Sequence, residues 1–369
     1  MVDAHLDQDG WEWHYDTAAP ATLVSVVRVD GSTEVTVPNN LDGSTPLTTI
    51  GASCFNNVEG HKITKVLGMP ATITSFELSS FRSMMSMTSC IIGSGVTSIG
   101  TSAFYGCNAL TSITIPNNVT TIGANAFKTC SNLASVTIGN GVISIVDFAF
   151  GSCTSLTSIT IPSGVTSIGS YVFSSCTSLT SITVEASNPN YSNNVGDGVL
   201  YNKLKTTLIQ YPSAKSGISF TIPNSVTSIG ADAFFGCSAL TSITIPSGVT
   251  SINGQTFYLC TSLTSITIPS GVISIGINAF RSCTSLTSII FLGHDVPTVG
   301  NGWITSCPGA IRGHAYASSH FPTPGNYFPA AEPDVADRLT MGDYIKTGSP
   351  FVGAPGVLMR RMGPAVLGG

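Results

Sequence analysis

The sequence predicts an α/β solenoid, a stack of short coils in place of one globular core. Three observations predict it. A 23-residue unit recurs, as IPNNVTTIGANAFKTCSNLASVT from Ile115 to Thr137 and IPSGVTSIGSYVFSSCTSLTSIT from Ile161 to Thr183. Its aromatic falls at Phe104, Phe127, Phe150 and Phe173, then at Phe234, Phe257 and Phe280. Its cysteine follows three residues later, at Cys107, Cys130, Cys153, Cys176, Cys237, Cys260 and Cys283, with Cys307 one residue out of step. A fixed period in the twenties marks a unit that cannot bury its apolar face alone and stacks on its neighbours.

One coil can be read residue by residue. In Leu110-Thr111-Ser112-Ile113-Thr114-Ile115 the apolar residues alternate inward and Ser112 and Thr114 point out, as along a strand. Pro116 lacks the donor for a further ladder bond and ends the strand. Asn117-Asn118 makes a turn. Val119 to Ile122 forms a second short segment, closed by Gly123. Ala126 to Cys130 is expected to be a single helical turn with Phe127 and Cys130 inward. Leu133 begins the next coil.

The leucine and isoleucine ladders (Leu110, Leu133, Leu156, Leu179; Ile99, Ile122, Ile145, Ile168) are therefore core. The stacked cysteines read as buried free thiols that pack as small hydrophobes. Neither a His nor a CxxC pairing accompanies them, so metal binding is not expected.

Composition narrows the function. Only 9% of residues are charged and the formal net charge is −5. Basic residues are scattered with no stripe, which argues against nucleic acid as a partner. No apolar run reaches the ~18 residues of a membrane span. The first residues, MVDAHLDQDGWEWHY, carry neither a basic nor an apolar leader region, so no signal peptide is visible. The six histidines lie outside any recognisable nucleophile setting, and Asp3, Asp7 and Asp9 do not form a calcium-loop pattern. No catalytic constellation, metal site or cofactor is expected.

The unit xIPxxVTxIGxxAFxxCxxLTxI resembles the leucine-rich repeats of BspA-like proteins, over roughly residues 50 to 310 and about ten coils. The resemblance implies a right-handed solenoid with one parallel sheet, short strands or helical turns on the other faces, and capped ends. It also implies a surface or secreted protein that adheres to, or binds, other proteins.

The expected organisation follows. Residues 1–50 form a leader and β cap, with strands at Leu23–Val29 and Glu34–Val37 around a turn at Asp30-Gly31, and with Trp11, Trp13 and Tyr15 sealing the first coil. Repeats occupy 51–184 and 222–307. Between them, residues 185–221 resemble the inserted β-hairpin of the family, with runs at Gly198–Asn202 and Thr207–Tyr211. Residues 308–328 form a C-terminal cap, with Trp303 in the phenylalanine position. Residues 329–369 are a Pro/Gly-rich flexible tail, with at most a short helix near Ala336 to Ile345, and offer a route to self-assembly.

The expected binding surface is the outward hydroxyl face: Ser112/Thr114, Ser135/Thr137, Ser158/Thr160 and Ser181/Thr183, resuming at Ser242/Thr244 and Ser265/Thr267. A plain solvated sheet also favours Thr, so the two readings stand side by side. Tyr191, Tyr201 and Tyr211 in the insertion are the second candidate surface, because aromatics are enriched at interaction hot spots. The leading expectation is a non-enzymatic module for a protein or glycan ligand. The alternatives are a structural spacer or assembly subunit of a surface layer or virion, and ice binding through the regular Ser-x-Thr pairs.

Overall fold

The computed structural model describes residues 2–6, 11–16, 22–28, 33–39, 46–56, 62–194, 196–295, 297–308, 311–315, 327–328 and 339–341. The chain winds into a parallel β-solenoid of about 12 turns. Each coil has three sides. The first carries a strand of up to four residues, such as Ser112–Ile115, paired in register with Ser135–Ile138. The second carries a two-residue strand, such as Thr121–Ile122, paired with Ser98–Ile99 and Ser144–Ile145. The longer strands form the parallel sheet that the resemblance implies, and the two-residue strands are the short strands expected on another face.

The third side corrects the expectation of a helical turn. No α-helix occurs among the described residues. Around each phenylalanine the backbone instead turns through two left-handed residues, two before and two after the ring: Asn125 (φ 55°) and Thr129 (φ 60°), then Phe148 (φ 57°) and Ser152 (φ 59°). Left-handed residues with a Cβ cost about 1–2 kcal/mol each. Ladder bonds between coils offset that cost. Asn125, Phe127 and Thr129 donate their N–H groups to the carbonyls of Asp147, Ala149 and Gly151, at 2.9, 2.8 and 2.8 Å. A helical turn would have spent those donors inside its own coil and left the next one unpaired.

The interior is a column of identical rungs. The rings of Phe104, Phe127 and Phe150 stack nearly parallel, with centroids 5.1 and 5.4 Å apart. Degenerate early coils keep the column: Phe81 stacks on Phe55 at 4.7 Å, and Met84 is fully buried in the cysteine position. The cysteines are free thiols. They also do more than fill space. Seven of the eight ladder thiols, all but Cys237, donate to the phenylalanine carbonyl of the preceding coil, as Cys130 Sγ to Phe104 O (3.1 Å) and Cys153 Sγ to Phe127 O (3.2 Å). Burial pushes the Cys176 and Cys260 thiols up to about 12. The thiolate is the reactive form, so a maleimide or iodoacetamide should leave the buried ladder unlabelled in the folded protein and label it fully in urea, as read by intact mass.

The ends and the insertion differ from the repeats. At the N-terminus, Val2–Leu6, Trp11–Asp16 and Thr22–Arg28 form an antiparallel sheet that joins the solenoid where Thr22–Leu23 pairs with Thr49–Ile50. Trp13 and Tyr15 are buried there, and the side chain of Trp11 lies outside the described residues. Thr22–Arg28 and Glu34–Thr36 do not pair as a hairpin; the second joins a separate sheet with Lys65–Gly68. In the insertion, Leu200–Asn202 pairs antiparallel with Thr207–Gln210, which then pairs parallel with Ser228–Ile229. The core divides at this point into two clusters. Near the C-terminus, in the tail read as flexible with at most a short helix, Leu339–Met341 is a strand beside Arg312–His314. The rest of the 329–369 tail lies outside the described residues.

Candidate binding surface

Strand alternation sets the outward face. In Ser112–Ile115, Ser135–Ile138 and Ser158–Ile161, residues one and three are exposed and residues two and four are buried. In-register pairing then stacks like on like: Ser112 on Ser135, Thr114 on Thr137, Ser158 on Ser181, and Thr160 on Thr183. Two hydroxyl columns result, with rungs about 4.8 Å apart. Ser242, Thr244 and Ser265 are exposed in the second tract, while Ser181 and Thr267 are half-buried.

A second set of hydroxyls shows what is special about this face. Threonines flanking the strands are consumed by the fold. Thr120 Oγ1 donates to Thr97 O (3.1 Å), Thr180 Oγ1 to Thr157 O (2.8 Å), and Thr264 Oγ1 to Thr241 O (3.2 Å). Among the described residues, no hydrogen bond takes up the hydroxyls of the twelve face residues, from Ser112/Thr114 to Ser265/Thr267. Each remains able to donate one bond and accept two. The face is a regular, uncharged array of unused donors and acceptors. A charge pair lies at its N-terminal end, where Lys65 Nζ meets Glu34 Oε1 at 2.6 Å.

Sequence reading missed part of this array. Ser219 and Thr221 pair with Ser242 and Thr244 and extend both columns, and Ser288 extends the serine column beyond Ser265. The motif Ser-Phe-Thr-Ile-Pro at 219–223 carried the signal, with Phe220 in the usual isoleucine position. The two tracts are not continuous. Ile182 N–H donates to Gly198 O (2.9 Å), and a Cβ on Gly198, already at φ +61°, would meet Ser181 Oγ at 2.7 Å. Backbone of the insertion thus covers the column between Ser181 and Ser219.

The inserted tyrosines are corrected as a contact surface, since all three are buried. The Tyr191 hydroxyl accepts the N–H of Ile168 at 2.8 Å, replacing a backbone partner. Tyr201 is fully buried and its hydroxyl bonds Asp197 Oδ2 at 3.2 Å. Tyr211 takes the phenylalanine position, its ring 5.2 Å from Phe234 and its N–H on Ala233 O. These rings close the core where the repeat is interrupted.

The repeat unit, its period and the stacked Phe, Cys and Leu rungs are now all in place. The BspA type leucine rich repeat region matches in six copies, over residues 32–109, 97–219 and 213–318. The chain belongs to this family.

Solved structures agree on the architecture of this BspA-type chain. The pneumococcal vaccine antigen PcpA is similar with a TM-score of 0.69 at 20% identity, over 86% of this chain and 94% of its own. A leucine rich cell surface protein from Faecalibacterium prausnitzii is 26% identical, with a TM-score of 0.59, over 94% and 96%. A leucine-rich repeat protein from Eubacterium ventriosum is 24% identical, with a TM-score of 0.56, over 94% and 85%. No curated protein matches. Among the described residues of this BspA-type chain, no group of three metal-ligating side chains comes together, and no helix is long and apolar enough to cross a membrane.

Proposed function

We propose that the chain is a non-enzymatic recognition module, a surface or secreted adhesin-like protein. Its outward Ser/Thr face binds a protein or glycan ligand. The observation that carries this reading is the contrast between two classes of hydroxyl. Threonines beside the strands bond the preceding coil, whereas those on the face are left unused by the fold. A rigid array of neutral donors and acceptors suits a ligand that makes many weak hydrogen bonds at a regular spacing, because the array is ordered before the ligand arrives. The similar protein of Faecalibacterium prausnitzii is a cell surface protein, which supports the location.

The test is binding of the purified chain to an array of matrix proteins and glycans, beside a variant with Thr137, Thr160 and Thr183 changed to Lys. The wild type is expected to bind selectively. The variant, which places three charges on adjacent rungs, should weaken that binding by at least about tenfold, the cost of one mismatched or unpaired polar contact at an interface. Absence of any ligand on a broad array would contradict the reading and favour a purely structural role.

A further inference from the structure

The insertion does not repeat, and it brings an amine, a carboxamide and a carboxylate together. Two carboxylates are drawn into the fold around it. Asp232, in the coil that follows, is 1% exposed and its Oδ1 has no partner. Asp197, within the insertion, is engaged on both oxygens. Its Oδ1 accepts the N–H of Val199 at 2.9 Å, and its Oδ2 accepts the Tyr201 hydroxyl at 3.2 Å and Asn194 Nδ2 at 2.8 Å. Val199 and Tyr201 are fully buried, so the core itself holds this carboxylate against the Asn194 amide.

Lys205 completes the group. It stands in the turn between Leu200–Asn202 and Thr207–Gln210, left-handed at φ 55°, a conformation that glycine adopts at less cost. Its N–H bonds Asn202 O at 3.0 Å, and its side chain folds back so that Nζ donates to Asn194 Oδ1 at 2.8 Å. A surface lysine ordinarily keeps its ammonium in water. Lys205 is half-buried, as are Asn194 and Asp197, and among the described residues no carboxylate pairs with its amine. The two contacts fix the orientation of the amide, with its oxygen on the amine and its nitrogen on the carboxylate. A carbonyl bond is about 1.2 Å long, so Nζ lies within about 4 Å of Asn194 Cγ. Nucleophile, electrophile and proton carrier are therefore in line before any bond forms.

We propose that Lys205 and Asn194 join in an intramolecular isopeptide bond, with Asp197 carrying the proton. The lysine ammonium gives one proton to solvent, and the neutral amine attacks Asn194 Cγ. An Nζ–Cγ bond forms and the carbonyl electron pair moves onto Oδ1. With both nitrogens on one carbon, the carboxylate that already touches Nδ2 is in reach of an Nζ proton. It takes that proton and delivers it to Nδ2. The pair on Oδ1 re-forms the carbonyl, the Cγ–Nδ2 bond breaks, and ammonia leaves. An amine and a primary amide thus become a secondary amide and ammonia, with no oxidant or cofactor. The bond closes a covalent loop around the antiparallel strands Tyr191–Ser192 and Leu200–Asn202, at the place where the core divides. It shortens the free chain of the unfolded state there. This modification does not depend on the reading of the hydroxyl face.

The experiment is intact mass and a tryptic map of the full chain, fresh and after incubation. The wild type is expected to be lighter than its sequence by one ammonia. Asn194 and Lys205 should appear in one branched peptide that trypsin does not cut after Lys205. Conversion should be faster at about pH 9 than at about pH 7, because only the neutral amine attacks and an ordinary lysine loses its proton at about 10.4. Lys205→Arg, which keeps the charge, should retain the full mass. Asp197→Asn should slow conversion at least about a hundredfold, the usual worth of a positioned proton carrier. Circular dichroism checks that both variants fold. A wild type that keeps its full mass after prolonged incubation at the higher pH would overturn the proposal. So would an ammonia loss without the branched peptide. An unchanged rate in folded Asp197→Asn would overturn the role given to the carboxylate.

Discussion

Phe127→Ala is expected to lower the unfolding free energy by about 3–5 kcal/mol, the range for deleting a buried aromatic ring. Phe127 is fully buried and lies in the middle of the first ring column, against Phe104 on one side and Phe150 on the other. Truncation leaves a cavity between two flat rings that cannot close on it. Their own coils are pinned by Phe104 N–H on Ala126 O (2.8 Å) and Phe127 N–H on Ala149 O (2.8 Å). Stability in a stacked array is a sum of coil and nearest-neighbour terms, so the loss falls on two interfaces at once. Urea denaturation followed by circular dichroism checks it. A loss below about 1 kcal/mol would mean that the column is not packed as described.

Asp232→Asn is expected to stabilise the protein, with a gain that depends on pH. Burial raises the Asp232 carboxyl from 3.8 to about 6, against a smaller opposing effect of the Ser174 hydrogen bond. The folded protein therefore holds this proton more tightly than the unfolded chain does. The contribution is most favourable below about pH 4 and is lost as pH rises to about 6, so the charged carboxylate costs stability above that. A shift of about two units corresponds to about 3 kcal/mol at pH 7. The new amide meets the same unpartnered position and returns part of that, which leaves a gain of about 1–3 kcal/mol. Tyr171 is a titratable neighbour whose phenol is raised above its usual range, by burial first and then by the charges of Asp232 and Asp147. Paired urea melts at about pH 4 and pH 7.5 should show equal stabilities at the lower pH and a more stable variant at the higher. A variant destabilised at both would contradict the unpaired, buried carboxylate.

Those two residues also show what a sequence can and cannot disclose here. Phe127 was legible, because every rung of a solenoid meets the same environment and so repeats the same residue. The strands, the apolar ladders and most of the hydroxyl face were legible for the same reason. The third side was not. Ala126-Phe127-Lys128 suits a helix by propensity, yet the hydrogen bonds that decide its conformation run to residues 22 positions away. The thiol ladder was read as packing, and its donation to Phe carbonyls became visible only once the coils were stacked. The inserted tyrosines misled for a related reason. Outside the period nothing indicates which side chains face inward, and Tyr211 proves to occupy the phenylalanine rung. Asp232 sits at a position that other coils fill variably, with Ser102, Asn125, Phe148, Tyr171, Gln255 and Asn278, so its charge stood out only once burial was known.

The account rests on a face whose hydroxyls the fold does not use. The measurement that tests it most directly is the affinity for the array-selected ligand of three proteins: the wild type, the Thr137/Thr160/Thr183→Lys variant, and a control with Lys at Asn108, Thr177 and Ser238. The control residues are exposed on the turn after each cysteine, so both variants gain the same charge on different sides of the solenoid. Loss of binding in the face variant with wild-type affinity in the control is the predicted result. Equal affinity in all three, or equal loss in both variants, would contradict the assignment of the face.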